Sequence, residues 1–179
     1  MDRALTGLAK AACATVGLAS CGPSVVELDT GPLAVSQDFR GLTGADRQAD
    51  EWAALSLTLQ PDVAAKLNRG AFTSATLFLF PCGQQGPDTY PAPAYLDGRS
   101  LTAEGLERHA GAVTLVFHLP RNRRALPVQT RNAGSYDCAE LMAGGTWPSV
   151  YVSKTLRLPA NLTFRRLPPS DPSLPAGAP

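Results

Sequence analysis

The sequence predicts a mostly β protein, an antiparallel β-sandwich with one to three short helices. Several segments alternate apolar and polar residues with the period of two that a half-buried strand requires. Turn-forming residues are abundant, with 16 glycines and 16 prolines in 179 residues. Helical periodicity is confined to a few short segments. The alternative is an α+β domain with its helices on one face of a sheet.

The strand predictions rest on alternation and on apolar runs. Leucine alternates with Ser, Thr or Gln over 55–60, and apolar residues alternate similarly over 113–119 and 150–158. The segment 75–80 is almost wholly apolar, which is typical of a strand buried on both faces. With the turns between them, these segments indicate six to eight strands.

Two glycine-containing pairs indicate hairpin turns. Asp97-Gly98 lies between two short apolar segments, and both residue types tolerate the positive φ of tight hairpins. Gly144-Gly145 lies between segments 138–142 and 147–158, which predicts a second hairpin there.

The predicted helices are short and lie between the strands. One covers Pro61 to Asn68, before Gly70, and another covers Leu101 to Ala110, with Ser100 or Thr102 as its cap. Residues 45–52 are a candidate for a third.

The first 20 residues have the order of a secretory signal peptide. Arg3 and Lys10 make the beginning basic, an uncharged apolar run covers 11–19, and small residues precede Cys21. The apolar run is shorter than the roughly 20 residues that span a bilayer. The segment therefore predicts export rather than a membrane-spanning helix.

The tetrapeptide Leu18-Ala19-Ser20-Cys21 resembles the lipobox of bacterial lipoproteins. The resemblance covers only the signal peptide, and it implies cleavage before Cys21 and attachment of acyl chains such as palmitate there. It also implies a lipid-anchored protein of the cell envelope. Because residue 22 is Gly rather than Asp, sorting by analogy favours the outer membrane, facing the periplasm, over the inner membrane.

The lipoprotein resemblance divides the chain into four parts. Residues 1–20 are the expected signal peptide, and 21–24 are the lipidated N-terminus and tether. Residues 25–166 form a single β-rich domain. Residues 167–179 contain five prolines, which predicts a disordered tail.

Cleavage and lipidation would leave two cysteines, Cys82 and Cys138, in an oxidising compartment. An even pair there predicts a disulfide. In the chain-entropy treatment, closing a loop of 56 positions stabilises the fold by about 4 kcal/mol. The alternative is a catalytic or metal-binding thiol.

The chain contains little recognisable catalytic chemistry. His109 and His118 are the only histidines, the first at the end of the second predicted helix and the second on the outer or interfacial side of a strand. Structural roles are favoured for both. The mature chain has no G-x-S-x-G elbow or phosphate-binding glycine motif, and no cofactor or metal site is expected. Five aromatic residues could stack against carbohydrate, but a place in the core is favoured for them: Trp52, Trp147, Tyr90, Tyr95 and Tyr151.

Charge is distributed unevenly along the chain. Residues 21–119 carry a net charge of −5, and residues 120–166 carry +6. The favoured interpretation is that the two segments pair their charges at the surface, where each ion pair contributes about 0–1 kcal/mol. The alternative is that Arg121, Arg123 and Arg124 contact an anionic surface of lipid headgroups or lipopolysaccharide phosphates.

These observations favour a non-enzymatic binding or scaffolding module of the cell envelope. Its expected partners are the membrane, through the lipid, and another envelope protein or an anionic surface, but not nucleic acid. The alternative is an envelope hydrolase that acts on glycan or peptide, which requires a cleft containing His118 or a carboxylate pair.

Overall fold

The computed structural model is mostly β, as the sequence predicts. Strands contain 54% and helices 12% of the described residues, so the helices are a minor component. The structure describes residues 24–42, 51–69, 72–83, 89–109, 111–121, 136–145 and 149–167.

Ten strands and two helices follow one another in the described part of the chain. In order they are β1 (Ser24–Leu28), β2 (Leu33–Ser36), β3 (Glu51–Leu59), α1 (Pro61–Arg69), β4 (Phe72–Phe80), β5 (Tyr90–Leu96), β6 (Arg99–Ser100), α2 (Ala103–Glu107), β7 (Val113–Arg121), β8 (Cys138–Gly145), β9 (Ser149–Ser153) and β10 (Leu156–Arg157).

The strands form one mixed sheet rather than an antiparallel pair of sheets. Its order is β1-β9-β8-β4-β5-β7-β3-β2, with β10 beside β8 and β6 beside β5. The pairing of β1 with β9 is parallel, which the antiparallel prediction missed because parallel neighbours leave no turn signal in the sequence. The sheet curls into a half-barrel.

Strand β5 is where the sheet bends. Its first residues pair with β4, whereas Ala94 and Tyr95 pair with β7. One strand therefore joins the two parts of the sheet, and their inner faces share a core. The largest fully buried core side chains are Phe117, Leu28, Leu55, Leu57, Leu59, Leu67, Leu77, Leu79, Leu106, Leu115 and Leu119.

Three local expectations were wrong in whole or in part. Strand β4 alternates buried and half-buried side chains over 75–80, because only one face of the sheet carries the core. The second hairpin is confirmed, because β8 and β9 pair antiparallel, but Gly144-Gly145 belongs to β8 rather than to its turn, since the ladder with β4 continues to the pair Phe72–Gly145. Of the candidate third helix over 45–52, Glu51 and Trp52 begin β3 instead, because they pair with Arg121 and Pro120 of β7. Residues 45–50 lie outside the described residues.

The two remaining helices and the first hairpin agree with expectation. Helix α1 begins at Pro61, and α2 is shorter than predicted but uses Thr102 as its cap, whose hydroxyl accepts a hydrogen bond from the Gly105 amide at 3.0 Å. Asp97 and Gly98 have φ angles of 52° and 78°, which is the conformation expected of their hairpin turn.

Cys82 and Cys138 lie together, consistent with the predicted disulfide. Their Cα atoms are 5.1 Å apart, within the usual range for a bridge. Cys82 follows β4 and Cys138 begins β8, so the bond joins two neighbouring strands. The Cys82 amide also donates to the Asp137 carboxylate at 2.6 Å.

The expectations for both termini fall outside the described residues. These are the signal peptide over 1–20, lipidation of Cys21 and the tail from residue 168 onward. Among the described residues, no helix is both long enough and apolar enough to cross a bilayer.

Candidate functional site

The outer face of the sheet carries an aromatic cluster where β3, β7 and β5 meet. In the register of β3 and β7, Ala54 is opposite His118 and Trp52 is opposite Pro120. Alternation places these four residues on the face opposite the core. Tyr95 of β5 is paired with Val116, so its side chain lies on the same outer face.

His118 is buried although it lies outside the main core. It is only 4% exposed, because the segment that follows β2 covers it. The Nε2–H of His118 donates to the Asp38 carbonyl oxygen at 3.1 Å. The Phe39 ring stacks on the imidazole with centroids 5.9 Å apart, and the Tyr95 ring lies 4.8 Å away on a tilt.

The covering segment, residues 37–42, is held by an ion pair and by a glycine contact. The Arg40 guanidinium donates to both carboxylate oxygens of Asp38 at 2.7–3.1 Å. These hydrogen bonds lower the pKa of the Asp38 carboxyl and raise that of Arg40. At the other end, Gly41 lies against the carbonyl group of Gly98 in the hairpin turn.

The segment that contains Arg165 lies against the same outer face. Trp52 and Arg165 exchange two backbone hydrogen bonds of 2.8 and 2.9 Å. The Arg165 guanidinium then stacks 4.3 Å from the centre of the Phe39 ring and donates to the Gln37 carbonyl at 3.3 Å. Segments distant in sequence therefore fix the aromatic cluster together.

These contacts leave a small open cleft, which we call the aromatic cleft. Its volume is about 150 Å³, and its lining residues are Leu42, Trp52, Tyr90, Pro91, Pro93, Tyr95 and His118. Trp52 and His118 are buried, the two tyrosines are half-buried and the two prolines are exposed. The lining combines apolar rings with tyrosine hydroxyl groups, which suits a small ligand with both apolar and polar surfaces.

The orientation of His118 limits what the cleft can do. Its Nε2 atom is turned to the Asp38 carbonyl, and its Nδ1 atom is buried. A general base must reach the proton that it removes, and neither nitrogen is exposed to do so. None of the described lining residues is a carboxylate.

A second, larger pocket lies beside α2 and the hairpin turn at Asp97-Gly98, and we call it the polar pocket because most of its lining side chains are charged or carry hydroxyl groups. It has a volume of about 550 Å³ and is lined by Leu96, Asp97, Arg99, Ser100, Thr102, Gly105, Arg108 and His109. His109, expected at the end of the second helix in a structural role, donates its amide N–H to the Leu106 carbonyl. Its Nε2 atom also lies 3.2 Å from the Asp97 carboxylate.

The structure describes only one of the three clustered arginines. Arg121 pairs with Glu51 at 3.2 Å and lies 5.5 Å from the Phe164 ring. Lys154 similarly pairs with Glu27 at 3.5 Å. These pairs join the basic and acidic segments as the favoured interpretation of the charges expects, whereas Arg123 and Arg124 lie outside the described residues.

Among the described residues, one group has the residue types and spacing for a metal ion, namely Cys82, Asp137 and Cys138. Both cysteines of this group are joined in the disulfide, which removes the thiolate ligands that a metal would need.

Sequence reasoning named part of the cleft but not its arrangement. Of the five aromatic residues considered for carbohydrate stacking, Trp52, Tyr90 and Tyr95 line the cleft. Tyr151 is in the core, and Trp147 lies outside the described residues. The contribution of segment 37–42 was missed, since a loop that folds back onto a sheet leaves no periodic signal.

The described residues form a mostly β domain with a disulfide and a small open cleft lined by aromatic rings. Comparisons with protein families, curated proteins and solved structures found no match for this chain.

Proposed function

We propose that this chain is a lipid-anchored module of the bacterial cell envelope that binds glycan. In this proposal a sugar ring of the glycan occupies the aromatic cleft, and the domain serves binding or scaffolding rather than catalysis. The observation that carries it is the convergence of Trp52, Tyr90 and Tyr95 on one open cleft.

Support for the envelope location comes from the sequence and from the cysteines. The lipobox-like Leu18–Cys21 would place acyl chains three residues before β1, which starts at Ser24. Three extended residues span about 10 Å, so the domain would lie against the membrane, with the outer membrane favoured. A disulfide between Cys82 and Cys138 is typical of an oxidising compartment.

The choice of glycan follows from the size and chemistry of the cleft. A volume of about 150 Å³ is well below the 300–1,000 Å³ of pockets that enclose a drug-sized ligand, and it suits a single ring. Sugar rings present C–H faces that pack on aromatic side chains and hydroxyl edges that hydrogen-bond. A proline-rich peptide needs a longer groove, since four polyproline residues extend about 12 Å.

The test is a calorimetric titration of the full chain with tri-N-acetylglucosamine as the probe. Replacing Tyr95→Ala should weaken binding by about tenfold, because an aromatic contact contributes on the order of 1 kcal/mol. Tyr95→Phe should retain most of the affinity. Phe164→Ala, a partly buried ring outside the cleft, is the control and should bind like the wild type.

Two results would contradict the glycan assignment. One is the absence of saturable sugar binding by the folded wild type. The other is saturable binding of a proline-rich peptide, sensitive to Tyr95→Ala, by a protein that ignores the sugar.

An envelope hydrolase is the second candidate, since His118 lines the cleft. The orientation of both imidazole nitrogens argues for binding instead. Incubation with a glycan polymer distinguishes them: release of reducing ends that His118→Asn abolishes, without loss of binding, would establish the hydrolase.

A further inference from the structure

The polar pocket beside α2 contains cationic groups that the fold does not neutralise. Within the described part of the chain, neither Arg99 nor Arg108 forms an ion pair. Arg99 lies in β6 and Arg108 directly follows α2, and both line the pocket. The pocket shares none of its lining residues with the aromatic cleft, so it is a separate feature.

The remaining charged residues of the pocket form a pair with each other. The Asp97 carboxylate lies 3.2 Å from the His109 imidazole, so the one acidic residue in the lining already has a partner. Ser100 and Thr102 add hydroxyl groups. The Thr102 hydroxyl oxygen accepts from the Gly105 amide, and its O–H remains a donor.

We propose that this pocket binds a small ligand through a phosphate group. Guanidinium groups form bidentate hydrogen bonds with oxyanions. The two arginines and the two hydroxyl groups of the lining offer more hydrogen-bond donors than the one carboxylate in it can accept. A phosphate monoester has a charge of about −1.5 to −2 and three strong acceptor oxygens. The volume of about 550 Å³ exceeds a phosphate ion, which favours a phosphorylated sugar or a lipid headgroup.

The test is calorimetric titration of the full chain with inorganic phosphate and with glucose 6-phosphate. The sugar phosphate should bind more tightly, because it fills more of the pocket. Arg99→Gln and Arg108→Gln should each weaken binding by about tenfold or more, as expected for the loss of a charge-assisted hydrogen bond. Arg157→Gln, which removes an exposed arginine paired with Asp137 elsewhere, should have no effect.

Asp97→Asn separates a phosphate site from an incidental effect of surface arginines. Asparagine tolerates the positive φ of this position, so the turn is kept while the negative charge is removed. Phosphate affinity should then rise several-fold, whereas a purely structural disturbance of the pocket would lower it.

Vesicles containing phosphatidic acid, whose headgroup is a phosphate monoester, distinguish the source of the phosphate. Displacement of the bound chain by glucose 6-phosphate would show that the same site takes a headgroup. The proposal is overturned if the folded wild type binds neither soluble phosphate, if both arginine variants bind like the wild type, or if Asp97→Asn weakens binding. Because the variants leave the aromatic cleft unchanged, failure here is separable from failure of the glycan proposal.

Discussion

At the scale of single residues, two glycines set the position of the covering segment over the cleft. Gly41 has a φ of 84°, and a Cβ at this position would collide with the Gly98 carbonyl oxygen and lie 2.8 Å from Tyr95 Cδ1. Both the backbone conformation and the space therefore require glycine. The contact links the loop before β3 to the hairpin beside the polar pocket.

Gly41→Ala should lower the free energy of unfolding by more than the roughly 1–2 kcal/mol that left-handed backbone costs alone. Gly83→Ala isolates that cost, because Gly83 has a φ of 78° and open space around it. Gly111→Ala has neither constraint and should be nearly neutral. Urea denaturation of the three variants should rank them in that order; equal losses for Gly41 and Gly83 would show that the close contact is unimportant.

The Asp38–Arg40 pair should make stability depend on acidity. Hydrogen bonds from Arg40 lower the pKa of Asp38 in the folded protein, so the pair stabilises the fold above the unfolded carboxyl pKa of about 3.9. That stabilisation is lost as pH falls through the lower, folded-state pKa. In denaturation between pH 2 and 6, Arg40→Gln should be less stable than the wild type at the upper end and converge with it at the lower end.

A constant difference between Arg40→Gln and the wild type at all pH values would instead assign the effect of Arg40 to packing. Arg99→Gln is the control, since Arg99 has no ion pair in the described residues. Its stability should follow that of the wild type throughout the pH range.

At the scale of elements, the disulfide joins strands that already pair. Phe80 of β4 is opposite Cys138 of β8, so the bond closes the end of an existing ladder. The bridge also holds Asp137 near the Cys82 amide. Its main effect is therefore expected on the unfolded chain, whose entropy it reduces.

Replacing both cysteines by serine should lower the free energy of unfolding by about 2–4 kcal/mol without changing the fold. The same loss should follow reduction of the wild type, which serves as the matched control. Thiol labelling of the denatured, non-reduced protein should detect no reaction at Cys82 or Cys138. Full labelling of both would contradict the disulfide.

At the scale of the whole molecule, the N-terminal lipid would hold the domain at a membrane. Mass spectrometry of the protein extracted from bacterial membranes should find an acylated Cys21 at the N-terminus. Cys21→Ser should accumulate as uncleaved precursor, because lipidation of the Cys21 thiol must come before cleavage. An intact Met1 on the membrane-bound wild type, or a soluble product starting elsewhere, would refute the lipoprotein proposal.

The alternative interpretation of the charges predicts that the basic residues at and after the end of β7 orient the domain on anionic lipid. Arg121 already pairs with Glu51, so Arg123→Ser with Arg124→Ser should remove most of the binding, at about 1 kcal/mol per charge. The readout is flotation of a chain lacking the lipidated N-terminus with anionic and neutral vesicles. If the chain bound anionic and neutral vesicles equally, or if the double variant bound like the wild type, surface ion pairing would remain as the role of these charges.

The sequence by itself determined several local elements and the face that each of them buries. Alternation over 55–60 and 113–119 predicted β3 and β7, and Asp97-Gly98 predicted its turn, because side-chain periodicity and positive φ are properties of neighbouring residues. The signal-peptide pattern is equally local. The two cysteines could be paired because the expected cleavage and lipidation would leave only two.

Only the tertiary structure decided which strands are neighbours and what covers the outer face. The parallel pairing of β1 with β9 and the bend at β5 depend on contacts between distant segments, which no local pattern encodes. The burial of His118 beneath residues 37–42 has the same origin. The aromatic cleft arises where such segments meet, so a single-residue pattern identified Trp52, Tyr90 and Tyr95 as candidates but not as one cleft. The polar pocket, by contrast, is lined by residues 96–109 alone.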